Sequence, residues 1–292
     1  MIAPRRSYAV PTAHAGVLQL GDRCLVLGIL NVTPDSFAET ASHVDPAAAL
    51  DAALRMEADG ADLIDVGGES TRPGAAPVTP DEELARVVPV LKALRGRIRV
   101  PLSIDTSKAE VARAALGEGA AIVNDISGLR YDPSLARVVA DAGAALVVMH
   151  MRGRPATMYE AAVYDRLIDE VIAELRASVE TATDSGVPLA RILVDPGVGF
   201  AKRASHSYGV LARLPEFAAA LNRPVLVGPS RKSYLRDASG GRAAAERDWG
   251  TAAAVTAAVL GGAHVVRVHA VAEMVQVVRV AEEIRNASGH RA

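Results

Sequence analysis

Cysteine is almost missing from this chain of 292 residues: Cys24 stands alone, so no intrachain disulfide can form. It lies in the apolar run "CLVLGI", where a buried, inert thiol is expected rather than a nucleophile. A reducing, cytoplasmic compartment fits such a chain. Long hydrophobic runs are missing too. Each apolar stretch ends in a charged or turn residue, well short of the ~20 residues a membrane helix needs. The first residues, "MIAPRRSYAVPTAHAG", carry two arginines with no long apolar core behind them, so they read as a leader and not a signal peptide. Neither sign of charge dominates: 32 Lys and Arg stand against 34 Asp and Glu, a formal net charge of -2. That balance argues against a nucleic-acid or membrane-surface partner. Zinc spacings are absent as well, with no Cys pair, no HExxH and seven scattered histidines.

What the chain has is repetition. Short apolar runs occur at 25–30, 62–66, 100–104, 121–124, 145–149, 191–195, 224–228 and 264–268. They lack strict polar alternation, as strands of a parallel sheet buried on both faces do. Between them lie Ala-, Leu-, Glu- and Arg-rich segments at helical spacing, at 46–58, 80–95, 108–118, 161–185 and 245–261. Pro46, Pro80 and Pro133 stand where first helical turns would begin. Eight strand-helix repeats predict an α/β fold, a single (β/α)8 TIM barrel. A doubly wound open sheet is the rival, weakened by the lack of a glycine fingerprint after the first strand. Residues 17–27 predict an N-terminal β-hairpin turning at Gly21-Asp22 and closing the barrel bottom. Residues 1–15 are then a leader without order of its own, and 16–292 are one domain.

In such a barrel every strand delivers its C-terminal end to one rim, where active sites are built. Asn31, Asp105, Asn124, His150, Asp195, Ser230, Lys232, Arg267 and His269 all stand at or just past strand ends. Each alone could be a helix cap or a turn residue; together they predict a pocket. "DVGGESTRPGA" (65–75) offers the Thr71 hydroxyl and the Arg72 fork for an anion, with Gly67 and Gly68 allowing close ligand approach or positive φ. "VGPSRKS" (227–233) predicts an anion cradle at a helix start, though not a Walker loop. Lys232, Arg267 and His269 would neutralise a diphosphate. Asp105, Asn124 and Asp195 suit the donor-acceptor edge of a flat heterocycle such as an aminopyrimidinone. For His150 a structural role is expected rather than a proton shuttle.

Eight segments together resemble the dihydropteroate synthase family of folate biosynthesis. They are "LGILNVTPDSF" (27–37), "DVGGESTRPGA" (65–75), "SIDTSK" (103–108), "IVNDISG" (122–128), "VMHMRGRPATM" (148–158), "LVDPGVGFAK" (193–202), "GPSRKSYL" (228–235) and "RVHAV" (267–271). The resemblance implies a homodimeric barrel enzyme, a transferase of groups other than methyl. It would join 6-hydroxymethyl-7,8-dihydropterin diphosphate to 4-aminobenzoate with Mg2+, and sulfonamides would compete. Asp105, Asn124, Asp195, Lys232 and Met149 would hold the pterin. Asn31, Thr71, Arg267 and His269 would hold the diphosphate, Asn31 on the magnesium ion. Arg72, Pro73, Phe200, Ser230 and Lys232 would frame the aminobenzoate. Lys232, Asp35, Arg267 and His269 would carry the catalytic work, Asp35 from a closing first loop.

Two departures stand out: "AETAS" (38–42) replaces the family's usual Ser-Asp-Gly-Gly, and Ala270 replaces an aspartate, which predicts a less well fixed His269. A corrinoid-dependent pterin methyltransferase domain is the nearest rival; it handles no diphosphate and should lack "STRPG" and "SRKS". The other is a catalytically silent pterin-binding paralogue.

Overall fold

The computed structural model describes residues 5–33, 38–40, 43–71 and 74–289. It opens with an antiparallel hairpin, β1 (Tyr8–Pro11) and β2 (Val17–Leu20). The barrel begins with β3 (Leu25–Asn31), after which β4 (Ala38–Thr40) and β5 (His43–Val44) form a small antiparallel ribbon. There follow α1 (Pro46–Ala58), β6 (Leu63–Gly67), α2 (Pro80–Leu94), β7 (Leu102–Asp105), α3 (Ala109–Gly117), β8 (Ile122–Asp125), α4 (Leu135–Ala142) and β9 (Ala145–Met149). The chain continues through α5 (Leu167–Asp184), β10 (Ile192–Asp195), α6 (Ala204–Ala212), α7 (Leu214–Leu221), β11 (Leu226–Val227), α8 (Asp248–Leu260), β12 (Val265–Val268) and α9 (Val271–Gly289). The eight long-sheet strands are all parallel, in the order β10-β9-β8-β7-β6-β3-β12-β11. A parallel bridge from Val194 to Val225 joins the two edges. The doubly wound alternative is thereby excluded.

Strand parity sorts the side chains. Val26, Leu30, Ile64, Val66, Ile104, Val123, Leu146, Val148, Val194 and Val266 face outward and pack with the helices in one large apolar cluster. Their alternates Leu25, Leu27, Leu63, Ile122, Ala145, Val147, Leu193, Leu226 and Val265 fill the barrel's lower interior as a second cluster. Burial on both faces explains why the runs show no polar alternation. Several helices begin as the sequence dictates. Asp45 caps α1 ahead of Pro46, and Thr79 with Glu82 forms a capping box ahead of Pro80.

The hairpin closes the barrel bottom as expected, with Val10 and Leu20 completing the lower interior cluster. Its strands differ from the expectation. Tyr8 pairs with Leu20 and Pro11 with Val17, so the turn runs through 12–16 and Gly21-Asp22 merely leads into β3. Four residues of the supposed leader, Tyr8–Pro11, are therefore a strand, because an open barrel end needs an apolar lid and Val10 supplies part of it. Cys24 is fully buried, its amide 2.7 Å from Glu282 Oε1, and burial pushes its thiol up to about 12. It is the inert thiol expected.

Candidate active site

The parity that fills the barrel bottom with Leu and Val also builds its mouth. Continuing inward along each strand gives Asn31 after Leu27, Asp65 and Gly67 after Leu63, Asn124 after Ile122, Asp195 after Leu193 and Arg267 after Val265. Register aligns the upper row: Asn31 beside Gly67, Gly67 beside Asp105, Asp105 beside Asn124. The apolar strand ends in a polar residue because its last inward position leaves the packed core and meets the cavity.

Arg267 lies at the centre. Its Nε donates to Asp65 Oδ2 at 2.6 Å and its Nη2 to Asp105 Oδ2 at 2.7 Å, while Asn124 Nδ2 donates to the same Asp65 oxygen at 3.0 Å. Asp65 is fully buried. Burial pushes the Asp105 carboxyl up to about 7, with Arg267 pulling against it and Asp65 adding to it. Burial also raises Asp195, opposed mainly by Lys232, and Gly197 N donates to Asp195 Oδ1 at 2.7 Å. Burial likewise lowers Lys232 to about 8, with Asp195 favouring its charge and Arg267 opposing it. Lys232 Nζ donates to the Val198 carbonyl at 2.6 Å and rests 4.3 Å from the centre of the Phe200 ring. Phe200 packs with Ile126, Met149, Met151 and Met158 as a greasy wall beside these charges.

The second half of the mouth is held from outside. Arg231 takes a left-handed φ of 58°, costly for a non-glycine residue. A two-point pair with Asp248 at 2.7 Å and a bond from its amide to Thr251 Oγ1 at 3.0 Å keep it there. The turn directs Arg231 to α8 and Ser230 towards His269, whose Nδ1 lies 2.9 Å from Ser230 Oγ.

A flat apolar wall, three inward carboxylates, an amide and two inward cations suit a planar, hydrogen-bonding heterocycle joined to an anion. Residues 27–269 match the sequence model of the pterin binding enzymes. The chain belongs to the pterin-binding enzyme family. It is 45% identical over 264 residues to the dihydropteroate synthase of Synechocystis, covering 90% of this chain and 91% of that one. It superposes with a TM-score of 0.88 and 41% identity on a Yersinia pestis dihydropteroate synthase in a sulfonamide complex, covering 94% of this chain and 98% of that one. A Xanthomonas albilineans dihydropteroate synthase with 4-aminobenzoic acid gives 0.86 at 40% identity, with the same coverage.

Within this family fold Asn31, Asp105, Asn124, Asp195, Met149, Phe200, Ser230, Lys232, Arg267 and His269 all come to one mouth. Thr71 stands in the loop after β6. Asp35, Arg72 and Pro73 lie outside the described residues. Several expectations need correcting. Arg267, expected to serve the diphosphate, is clasped by two carboxylates, one of them the Asp105 expected on the heterocycle, because an unpaired buried guanidinium is costly. Neither Gly67 nor Gly68 has positive φ; a Cβ on Gly68 would stand 2.7 Å from Val87, so that glycine admits α2. The "SRK" stretch opens only a single 3-10 turn, Ser233–Leu235, and Arg231 faces away from the cavity. His269 is held by Ser230 despite Ala270.

Asp65 was overlooked in the sequence. It sits two residues before Gly67 with the same parity as Leu63, the signal that would have found it. Lys108 of "SIDTSK" is a structural tie, bonded to Glu69 at the start of the second loop and to buried Glu83 on α2.

Proposed function

We propose that the chain joins 6-hydroxymethyl-7,8-dihydropterin diphosphate to 4-aminobenzoate, giving 7,8-dihydropteroate and diphosphate. The observation that carries this reading is the meeting of Lys232, Arg267 and His269 with Asp105, Asn124 and Asp195 at one mouth. Asp105, Asn124 and Asp195 accept and donate along the pterin edge, and Met149 and Phe200 cover its face. The C–O bond to the diphosphate breaks, leaving a cation on the exocyclic carbon that spreads into the ring. The aryl amine attacks that carbon, forms the C–N bond and loses a proton. No side-chain nucleophile takes part. The carboxylates favour the ring cation; Lys232, His269 and the N–H groups of Arg267 not spent on Asp65 and Asp105 favour the departing charge. Thr71 and Asn31 assist on the diphosphate side. Phe200 and Ser230 frame the aminobenzoate; Arg72 and Pro73 are assigned to the same substrate, and Asp35 to the catalytic work, by the family resemblance alone.

Among the described residues, no three His, Cys, Asp or Glu side chains are grouped to hold a metal ion. The mouth fits Mg2+ carried in on the substrate, with the Asn31 amide oxygen as its protein ligand, since Mg2+ favours oxygen donors and substrate phosphates. When bound, it would neutralise diphosphate oxygens. A cytoplasmic homodimer inhibited by sulfonamides completes the reading; the described helices include none long and apolar enough to cross a membrane. Steady-state formation of dihydropteroate and diphosphate by the purified chain with Mg2+ tests it. Tight pterin diphosphate binding without product would instead identify a silent paralogue.

A further inference from the structure

Lys202 is among the most deeply buried side chains of the molecule, 1% exposed. Its Nζ lies 2.7 Å from His150 Nδ1 and 3.2 Å from the Phe200 carbonyl. Burial lowers it to about 7, and Asp195 is the opposite charge that most sustains its ammonium. His150 is also buried; its own burial and then Lys202 push it down to about 3, so it is neutral and accepts at Nδ1. Its Nε2 then carries the proton and faces Glu174 Oε2 on α5 at 3.2 Å. Glu174 is fixed in turn by Arg152 and Arg130. His150 N also donates to the Asp195 carbonyl at 2.8 Å. A Cβ on Gly197, which has a φ of 70°, would stand 1.9 Å from the His150 carbonyl oxygen. The loop after β10 is thus pressed against the end of β9, with Lys232 on its cavity side and Lys202 behind it.

A buried ammonium is costly to maintain, and an apolar side chain would plug the same space more cheaply. Building on the function proposed above, we infer that Lys202 is a positioning residue for the pterin site: it anchors the Asp195–Phe200 loop through the Phe200 carbonyl and His150, and its charge keeps Asp195 ionised for the pterin. The charged groups facing Asp195 are Lys202, Lys232 and Arg267; those facing Lys202 are Asp195, Lys232, Glu174 and Arg152.

The test compares Lys202→Met, which removes the charge and the donor, with Lys202→Gln, which keeps hydrogen bonding. Melting curves establish that each variant is folded. The expected result for Lys202→Met is a tenfold or greater rise in KM for the pterin diphosphate. The acidic limb of kcat/KM for that substrate should move up by half a pH unit or more. Lys202→Gln should move the limb equally and raise KM less. An unmoved limb with both substrates' KM values raised alike overturns the inference in favour of general packing, and so does failure of both variants to fold. Wild-type chain without turnover would overturn the proposed reaction instead, a separate outcome.

Discussion

Replacing Arg267 with methionine removes the cation bonded to both Asp65 and Asp105 and leaves a similar volume behind. Both carboxylates lose a bond of 2.6–2.7 Å in a buried site. Deleting one partner of such a pair costs about 3–5 kcal/mol. Part of that cost depends on pH. Asp105 sits at about 7 in the folded protein, against ~3.9 for an unfolded aspartate. The native state therefore holds the extra proton in between, and stability falls as pH rises through that window. Without Arg267 the folded value climbs further and the fall extends above pH 7. The gap between wild type and variant should be about 3 kcal/mol at pH 8.5, roughly 6 °C in Tm. It should narrow by about 2 kcal/mol towards pH 5.5, since each pKa unit is worth ~1.4 kcal/mol. Circular-dichroism melts at pH 5.5, 7 and 8.5 measure it. A gap that is absent, or equal at all three values, would show that the Asp65–Arg267–Asp105 cluster is not a mutually dependent charge network.

Lys232→Ala should abolish most turnover in a protein that still folds, with a lowered melting temperature because buried Asp195 loses its main opposing charge; near-normal kcat would refute its role. Ser230→Ala removes the hydroxyl bonded to His269 and should raise KM for aminobenzoate more than KM for the pterin substrate. An unchanged aminobenzoate KM would count against placing it there. The reaction needs Asp105 and Asp195 ionised and Lys232 protonated; Asp105 sits at about 7, burial raises Asp195 as well, and Lys232 sits at about 8. Plots of kcat/KM for the pterin diphosphate should thus rise towards pH 7, peak in a narrow band and fall beyond pH 8. A flat profile from pH 6 to 9 would sink the assignment.

Local physics made the barrel legible. All eight barrel strands begin within two residues of the apolar runs that predict them, and α1 matches its expected span, 46–58. Runs buried on both faces, prolines at helix starts and a capping box act over a few residues, so the sequence displays them. The polar strand tips were legible for the same reason, since parity carries them inward. What escaped was partnership across the barrel. Arg267 finds Asp65 from 202 positions away in the chain, Lys202 finds His150 from 52, and Val10 seals strands spread over the whole molecule. Which charge neutralises which, and therefore which carboxyl stays protonated near neutrality, depends on distance and burial. Those exist only once the eight strands have closed.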